Sequence, residues 1–104
     1  MAEQIGIDLA GKKAIVTGGA TGIGLAIAHS LAAHGVIVAI ADINGESAKA
    51  AAESIGSEHH HIVMDVSSRA SVEAGFRILE DELGGYDILI SNAGVSTMNR
   101  AIDI

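Results

Sequence analysis

The chain of 104 residues contains no cysteine. That excludes a disulfide, a thiolate nucleophile and any cysteine metal knuckle, and it suits a reducing compartment. Aromatic side chains are nearly missing, Phe76 and Tyr86 being the two, so a core built here is aliphatic. Basic residues are scarce: six Lys and Arg stand against thirteen Asp and Glu, giving a formal net charge of -7. With no basic patch to offset phosphate backbones or anionic headgroups, nucleic acid and membrane surfaces are excluded as expected partners. No apolar run approaches the length of a bilayer span, and residues 1–5 offer neither a basic n-region nor an apolar h-region. These absences lead to the expectation of a cytoplasmic protein.

What is present points to a packed α/β domain. Hydrophobic residues make up 49% of the chain and charged ones 18%, with 13 Gly, and the length suits one small domain over 1–104. Four short runs, 14–16, 36–41, 62–64 and 88–90, are apolar without alternation, as parallel strands covered on both faces require. Helical stretches lie between them. In the segment 68–83, Val72, Phe76, Leu79 and Leu83 recur at helical spacing, and in 22–34 Ile23, Ile27 and Leu31 do the same; 46–55 is the remaining helix. Gly35, Gly56 and the pair Gly84 and Gly85 sit where a positive φ would close each helix. The order βαβαβαβ, with right-handed crossovers, predicts a Rossmann-like doubly wound parallel sheet of order 3-2-1-4. It also predicts two helices on one face, one on the other, and a crevice between strands 1 and 4 at their carboxyl ends. Strand 4 is then expected to end the sheet, as in a domain truncated there.

The turn after strand 1 reads Thr17-Gly18-Gly19-Ala20-Thr21-Gly22-Ile23-Gly24 and runs straight into the first helix. Gly18 would turn the chain off the strand, Gly22 would let the backbone approach a pyrophosphate, and Gly24 would let the helix pack close to the sheet. Helix-start amides then face the phosphate charge. The spacing is not G-x-G-x-x-G, so a plain glycine-rich loop is the alternative. Asp42 follows at the end of strand 2, where a carboxylate can accept from ribose hydroxyls and repel a 2'-phosphate. No Lys or Arg lies in the turn or just after Asp42, which favours NAD over NADP. The competing reading makes Asp42 a loop-start acid.

Two further elements, Asp65-Val66 after strand 3 and Ser91-Asn92-Ala93-Gly94 after strand 4, join the Thr-Gly-x-x-x-Gly-x-Gly turn. In these three motifs, spread over residues 12–94, the chain resembles the short-chain dehydrogenase/reductase family. The resemblance implies that Asp65 binds the adenine amino group and the Val66 amide a ring nitrogen. It further implies that Asn92, Ala93 and Gly94 line the cofactor crevice. The cofactor contacts expected on these grounds are Gly18, Thr21, Gly22, Ile23, Gly24, Asp42, Ile43, Asp65, Val66, Asn92, Ala93 and Gly94. Ser91 departs from the Asn more usual at its place. Taken without the other motifs, Asp65 reads as a helix-capping acid before Ser67 and Ser68.

The family's chemistry uses a Tyr, a Lys four positions later and a Ser. Tyr86 is followed four positions on by Ile90 and precedes strand 4, away from the crevice, so no residue here is assigned a catalytic role. The expectation is that those groups lie beyond Ile104 and that the chain is the cofactor-binding N-terminal portion of an NAD-dependent oxidoreductase. The resemblance implies a small alcohol or carbonyl substrate and a homo-oligomer. Ser96 and Thr97 read as solvated loop residues. The run His59-His60-His61 would place two imidazoles on one face of a strand and one on the other with no third ligand, so no metal site is expected. His29 and His34, on or at the end of the first helix, are surface residues on this reading. Two alternatives use the same strand ends: a non-catalytic NAD-binding module, and an S-adenosylmethionine-dependent methyltransferase, against which the Asn-Ala-Gly element argues.

Overall fold

Side chains alternate along a strand, and the runs read above are apolar at both alternations, so each strand offers two faces to cover. The computed structural model describes residues 9–92 and the backbone of 102–103. Its elements are β1 (Lys13–Thr17), α1 (Gly22–Ala33), β2 (Ile37–Asp42), α2 (Gly45–Ile55), β3 (His60–Val63), α3 (Arg69–Leu83), β4 (Ile88–Ser91) and β5 (Ile102–Asp103). The sheet order is β3-β2-β1-β4-β5, with the first four strands parallel. That is the predicted 3-2-1-4 arrangement with one addition. Strand β4 does not end the sheet: β5 pairs with it antiparallel, Leu89 against Asp103 and Ile90 against Ile102. The added pairing occupies backbone groups that an open edge would leave exposed.

The two faces hold two separate cores. Ala14, Val16, Val38, Ile40, Ile88 and Ile90 meet Ala28 of α1 and Ala48, Ala51 and Ala52 of α2. Ile15 and Ala39, pointing the other way, meet Leu79 and Leu83 of α3, with Phe76 and Leu89 beside them. Strand β3, at the outer edge, is only partly covered, and its Val63 is 58% exposed. The expectation of cover on both faces fails there because α2 reaches one side of an edge strand and α3 touches the other lightly.

Helix α1 seats on the sheet at Gly24, as expected of that position, and at Ala28. Its buried positions are Gly24 and Ala28, with Ile27 and Leu31 flanking the contact and Ile23 72% exposed. Small residues bring the helix close to the sheet, which moves the apolar line sideways by one position and leaves Ile23 in solvent. Helix α3 follows its predicted stripe, and the sequence reading missed only Gly75: a Cβ there would lie 2.5 Å from Met64 Cε, a side chain just 1% exposed. Ser68 caps α3 and Gly84 closes it in the left-handed region, φ 77° and ψ 26°.

Candidate cofactor site

The glycine turn leaves β1 and enters α1 at the carboxyl end of the sheet, held from both sides. Toward β2, Gly18 N–H donates to Ala41 O at 2.7 Å and Ala20 N–H donates to Asp42 Oδ2 at 3.2 Å. Toward β4, Asn92 Nδ2 donates to Gly18 O at 3.2 Å. Asn92 N–H donates to Thr17 Oγ1 at 3.0 Å, and that buried hydroxyl donates onward to Ile90 O at 3.4 Å. Strand ends β2, β1 and β4 are thereby joined through one loop.

Each glycine of the turn has a distinct geometric task. Gly18 and Gly22 adopt φ of 66° and 60°. A Cβ on Gly24 would run into the Gly18 carbonyl oxygen and lie 2.9 Å from Asn92 Nδ2. A Cβ on Gly22 would meet nothing within 4 Å, so that position opens outward.

The start of α1 differs from the other two. Asn44 Oδ1 accepts from Ser47 N–H at 3.0 Å to cap α2, and Ser68 Oγ accepts from Ser71 N–H at 3.1 Å to cap α3. Thr21 makes no such side-chain bond. The first ladder bond of α1 is Leu25 N–H to Thr21 O, so the amides of Gly22, Ile23 and Gly24 precede the ladder. A dinucleotide fits these groups: free-standing amides and the positive helix end suit a pyrophosphate, and the open side of Gly22 gives it room.

Asp42 reaches this turn, and Asp65 follows β3, two strands away in the sheet. Asp42 also accepts from Asn44 N–H at 3.1 Å through Oδ1, so the loop-start reading describes part of its geometry. Asp65 Oδ1 accepts from Ser67 Oγ at 2.6 Å and from Ser67 N–H at 3.0 Å. The Ser67 hydroxyl, and then its amide, hold the Asp65 carboxyl below the usual carboxylate range, against a smaller opposing effect of desolvation. The cap itself is Ser68, not Asp65, while Ser71 Oγ accepts from Asp65 N–H at 2.9 Å. Ile23, Ile43 and Val66, three of the expected contacts, are large apolar residues exposed at 72%, 65% and 42% around the same strand ends. Thr17, Ala20 and Ser67 were not among those contacts; Thr17 had a signal in its motif, whereas Ala20 had none. Ala93, Gly94, Ser96 and Thr97 lie outside the described residues.

The remaining candidates lie elsewhere. Tyr86 stands before β4 at the opposite end of the sheet, its ring 5.9 Å from that of Phe76. His59 precedes β3 instead of belonging to it, and its Nδ1 accepts from Val38 N–H at 2.9 Å. His60 Nδ1 lies 3.3 Å from Glu82 Oε1. His29 Nε2 lies 3.4 Å from Ser54 Oγ, joining α1 to α2, and the His34 ring bonds Ser30 O at 2.9 Å. No helix among the described residues is long and apolar enough to cross a membrane.

Comparison with known proteins gives a consistent result. The family model described as short chain dehydrogenase matches residues 12–104. A D-threitol dehydrogenase of Mycolicibacterium smegmatis is 38% identical over 99% of this chain and 42% of its own length. A sorbitol dehydrogenase of Cereibacter sphaeroides is 42% identical over 92% of this chain and 38% of its own. Among solved structures, a 3-ketoacyl-(acyl-carrier-protein) reductase from Brucella melitensis complexed with NADH superposes with a TM-score of 0.80, at 35% identity over 83% of this chain and 35% of that one. The chain therefore spans about two fifths of the length of the curated relatives it matches. The methyltransferase alternative finds no support in these matches.

Proposed function

The chain belongs to the short-chain dehydrogenase family, and on that premise we propose that it forms the cofactor-binding part of an NAD-dependent oxidoreductase acting on polyhydroxy alcohols. The observation that carries the reading is the start of α1, uncapped by its own side chain and set between Asp42 and Asn92. In this reading the amides of Gly22, Ile23 and Gly24 hold the pyrophosphate, with Gly18 and Thr21 shaping the approach. Asp42 accepts from the adenosine ribose hydroxyls, and its charge disfavours a 2'-phosphate. Asp65 and the Val66 amide meet the adenine edge, while Ile43 and Val66 flank its faces. Asn92, Ala93 and Gly94 line the crevice toward the nicotinamide. The nicotinamide, when bound, accepts or returns a hydride.

No residue of this chain is assigned to the proton transfer; the Tyr, Lys and Ser that the family uses are expected outside it. The names of the threitol and sorbitol relatives support an open-chain polyol as substrate. The reading extends to a homo-oligomer in the cytoplasm. Its test is a calorimetric titration of the protein with NAD, NADP and S-adenosylmethionine, followed by spectroscopic detection of reduced cofactor, in the longer protein that also carries the Tyr, Lys and Ser, with a series of four- to six-carbon polyols. NAD is expected to bind at least tenfold more tightly than NADP and to be reduced by one or more polyols. Preferred binding of S-adenosylmethionine would overturn the reading, and reduction by simple alcohols alone would remove the polyol assignment.

A further inference from the structure

Asp42 carries more geometry than a ribose acceptor needs. Its two oxygens serve two separate backbone segments, Oδ1 taking Asn44 N–H at 3.1 Å in its own loop and Oδ2 taking Ala20 N–H at 3.2 Å across the glycine turn. Ala20 is 6% exposed and stands one residue before the N-cap of α1. The inner side of the turn is already full: a Cβ on the neighbouring Gly19 would lie 3.0 Å from Val16 O and 3.1 Å from Ile40 Cδ1. With the inner side fixed by packing, the outer side is set by the Ala20 amide, and Asp42 is the group that holds it. A carboxylate oxygen bonded to one amide keeps a lone pair for a hydroxyl, so both tasks fit on one side chain.

From this we propose that Asp42 is a positioning residue for the glycine turn, fixing where the α1 amides point, in addition to meeting the ribose. The inference rests on the nucleotide-binding reading above and makes a different prediction from a charge selector. If Asp42 acted only by repelling a 2'-phosphate, its removal would raise NADP affinity. With the clamp, its removal loosens the pyrophosphate cradle that both nucleotides share, and NADP gains nothing.

The test compares the wild-type protein with Asp42→Ala and Asp42→Asn. Hydrogen exchange at the Ala20 amide is measured without nucleotide, and inorganic pyrophosphate, NAD and NADP are then titrated. Asp42→Ala is expected to speed Ala20 exchange and to weaken pyrophosphate and NAD by about tenfold or more, the effect of one charge-assisted hydrogen bond. Asp42→Asn, whose single amide oxygen can accept from Ala20 only by giving up Asn44 N–H, is expected to recover part of the Ala20 protection and of pyrophosphate binding relative to Asp42→Ala while losing the preference for NAD. Unchanged Ala20 exchange in Asp42→Ala, with tighter NADP binding, would overturn the clamp. Should Asp42→Ala not fold, the wild-type protein decides: a through-hydrogen-bond coupling between the Ala20 amide nitrogen and the Asp42 carboxyl carbon supports it, and its absence overturns it. Failure of wild-type protein to bind either nucleotide would remove the functional reading and leave the Ala20 measurement standing.

Discussion

At the amino ends of its parallel strands the sheet is closed by its own side chains. Asp87 Oδ2 accepts from Lys13 N–H at 3.0 Å, His59 accepts from Val38 N–H, and Tyr86 lies against Phe76. At the carboxyl ends the side chains join one loop to another, Asp42 to Ala20 and Asn92 to Gly18, while the helix start between them carries no cap of its own. At the amino ends the bonds, between residues 74 and 21 positions apart, satisfy the amides of the strands themselves. At the carboxyl ends bonds of the same span, 22 and 74 positions, brace loops instead and leave the helix-start amides and apolar surface available. The end of the sheet proposed to take the cofactor is marked by where its hydrogen bonds stop as much as by which residues it contains.

The comparison can be broken or sharpened by substitutions that act on one end at a time. The largest effect is expected from a change that favours neither. Leu79→Ala, in a fully buried position of the α3 core, should cost about 3 kcal/mol in denaturant unfolding. NAD affinity per folded molecule should stay the same; a larger drop would mean that the α3 core supports the carboxyl end specifically.

Gly24→Ala comes next and acts on the carboxyl end. Alanine improves helix propensity by about 1 kcal/mol, but its Cβ meets the backbone carbonyl of Gly18, which cannot swing away as a side-chain tip would. A net loss of about 2 kcal/mol is expected, with NAD affinity falling at least tenfold in calorimetry. Retained affinity would show that the turn can shift without losing its ligand geometry.

His59→Ala acts on the other end. Leaving the Val38 amide without its acceptor should cost about 1 kcal/mol, with no change in NAD affinity. The same ring predicts a pH effect. Burial holds the His59 imidazole below its ordinary value of 6.5, outweighing the opposing pull of Glu58, and His60 lowers it further. Because the folded value is the lower one, the stability that His59 contributes is fully present above about 6.5 and is lost as pH falls toward the folded value. Thermal unfolding from pH 8 to pH 5 should show that decline in the wild-type protein and a shallower one in His59→Ala.

The smallest effect is expected from Ser67→Ala. Its removal should let the Asp65 carboxyl rise toward the usual carboxylate range, read by NMR titration of the carboxyl carbon, with a slight fall in the melting temperature at neutral pH. As the wild-type value is depressed, the associated stability is present above about 3.8 and lost as pH falls below it. In the variant that acid-side loss should shrink.

Much of this was legible in the sequence because strand and helix periods and the positions of glycine are local signals. The order 3-2-1-4, the split of the helices between faces and the left-handed closure at Gly84 follow from them. On α1 the close approach at Gly24 was legible from the glycine turn, whereas Ala28 escaped because a small residue carries little hydrophobic signal even where it is fully buried. The partial cover of β3 and the pairing of β5 escaped for another reason: edge position is a property of the sheet and not of any one strand.

By itself the sequence determined the element order, the crossover topology and which strand ends carry glycine, acid and amide side chains, since each depends on residues close together along the chain. Only the tertiary structure decided which oxygen meets which amide. Ala20 and Asp42 are 22 positions apart, and Gly18 and Asn92 are 74 apart. Pairings at such separations are set by strand register and by the depth to which α1 seats on the sheet, and neither is written in the spacing of any motif.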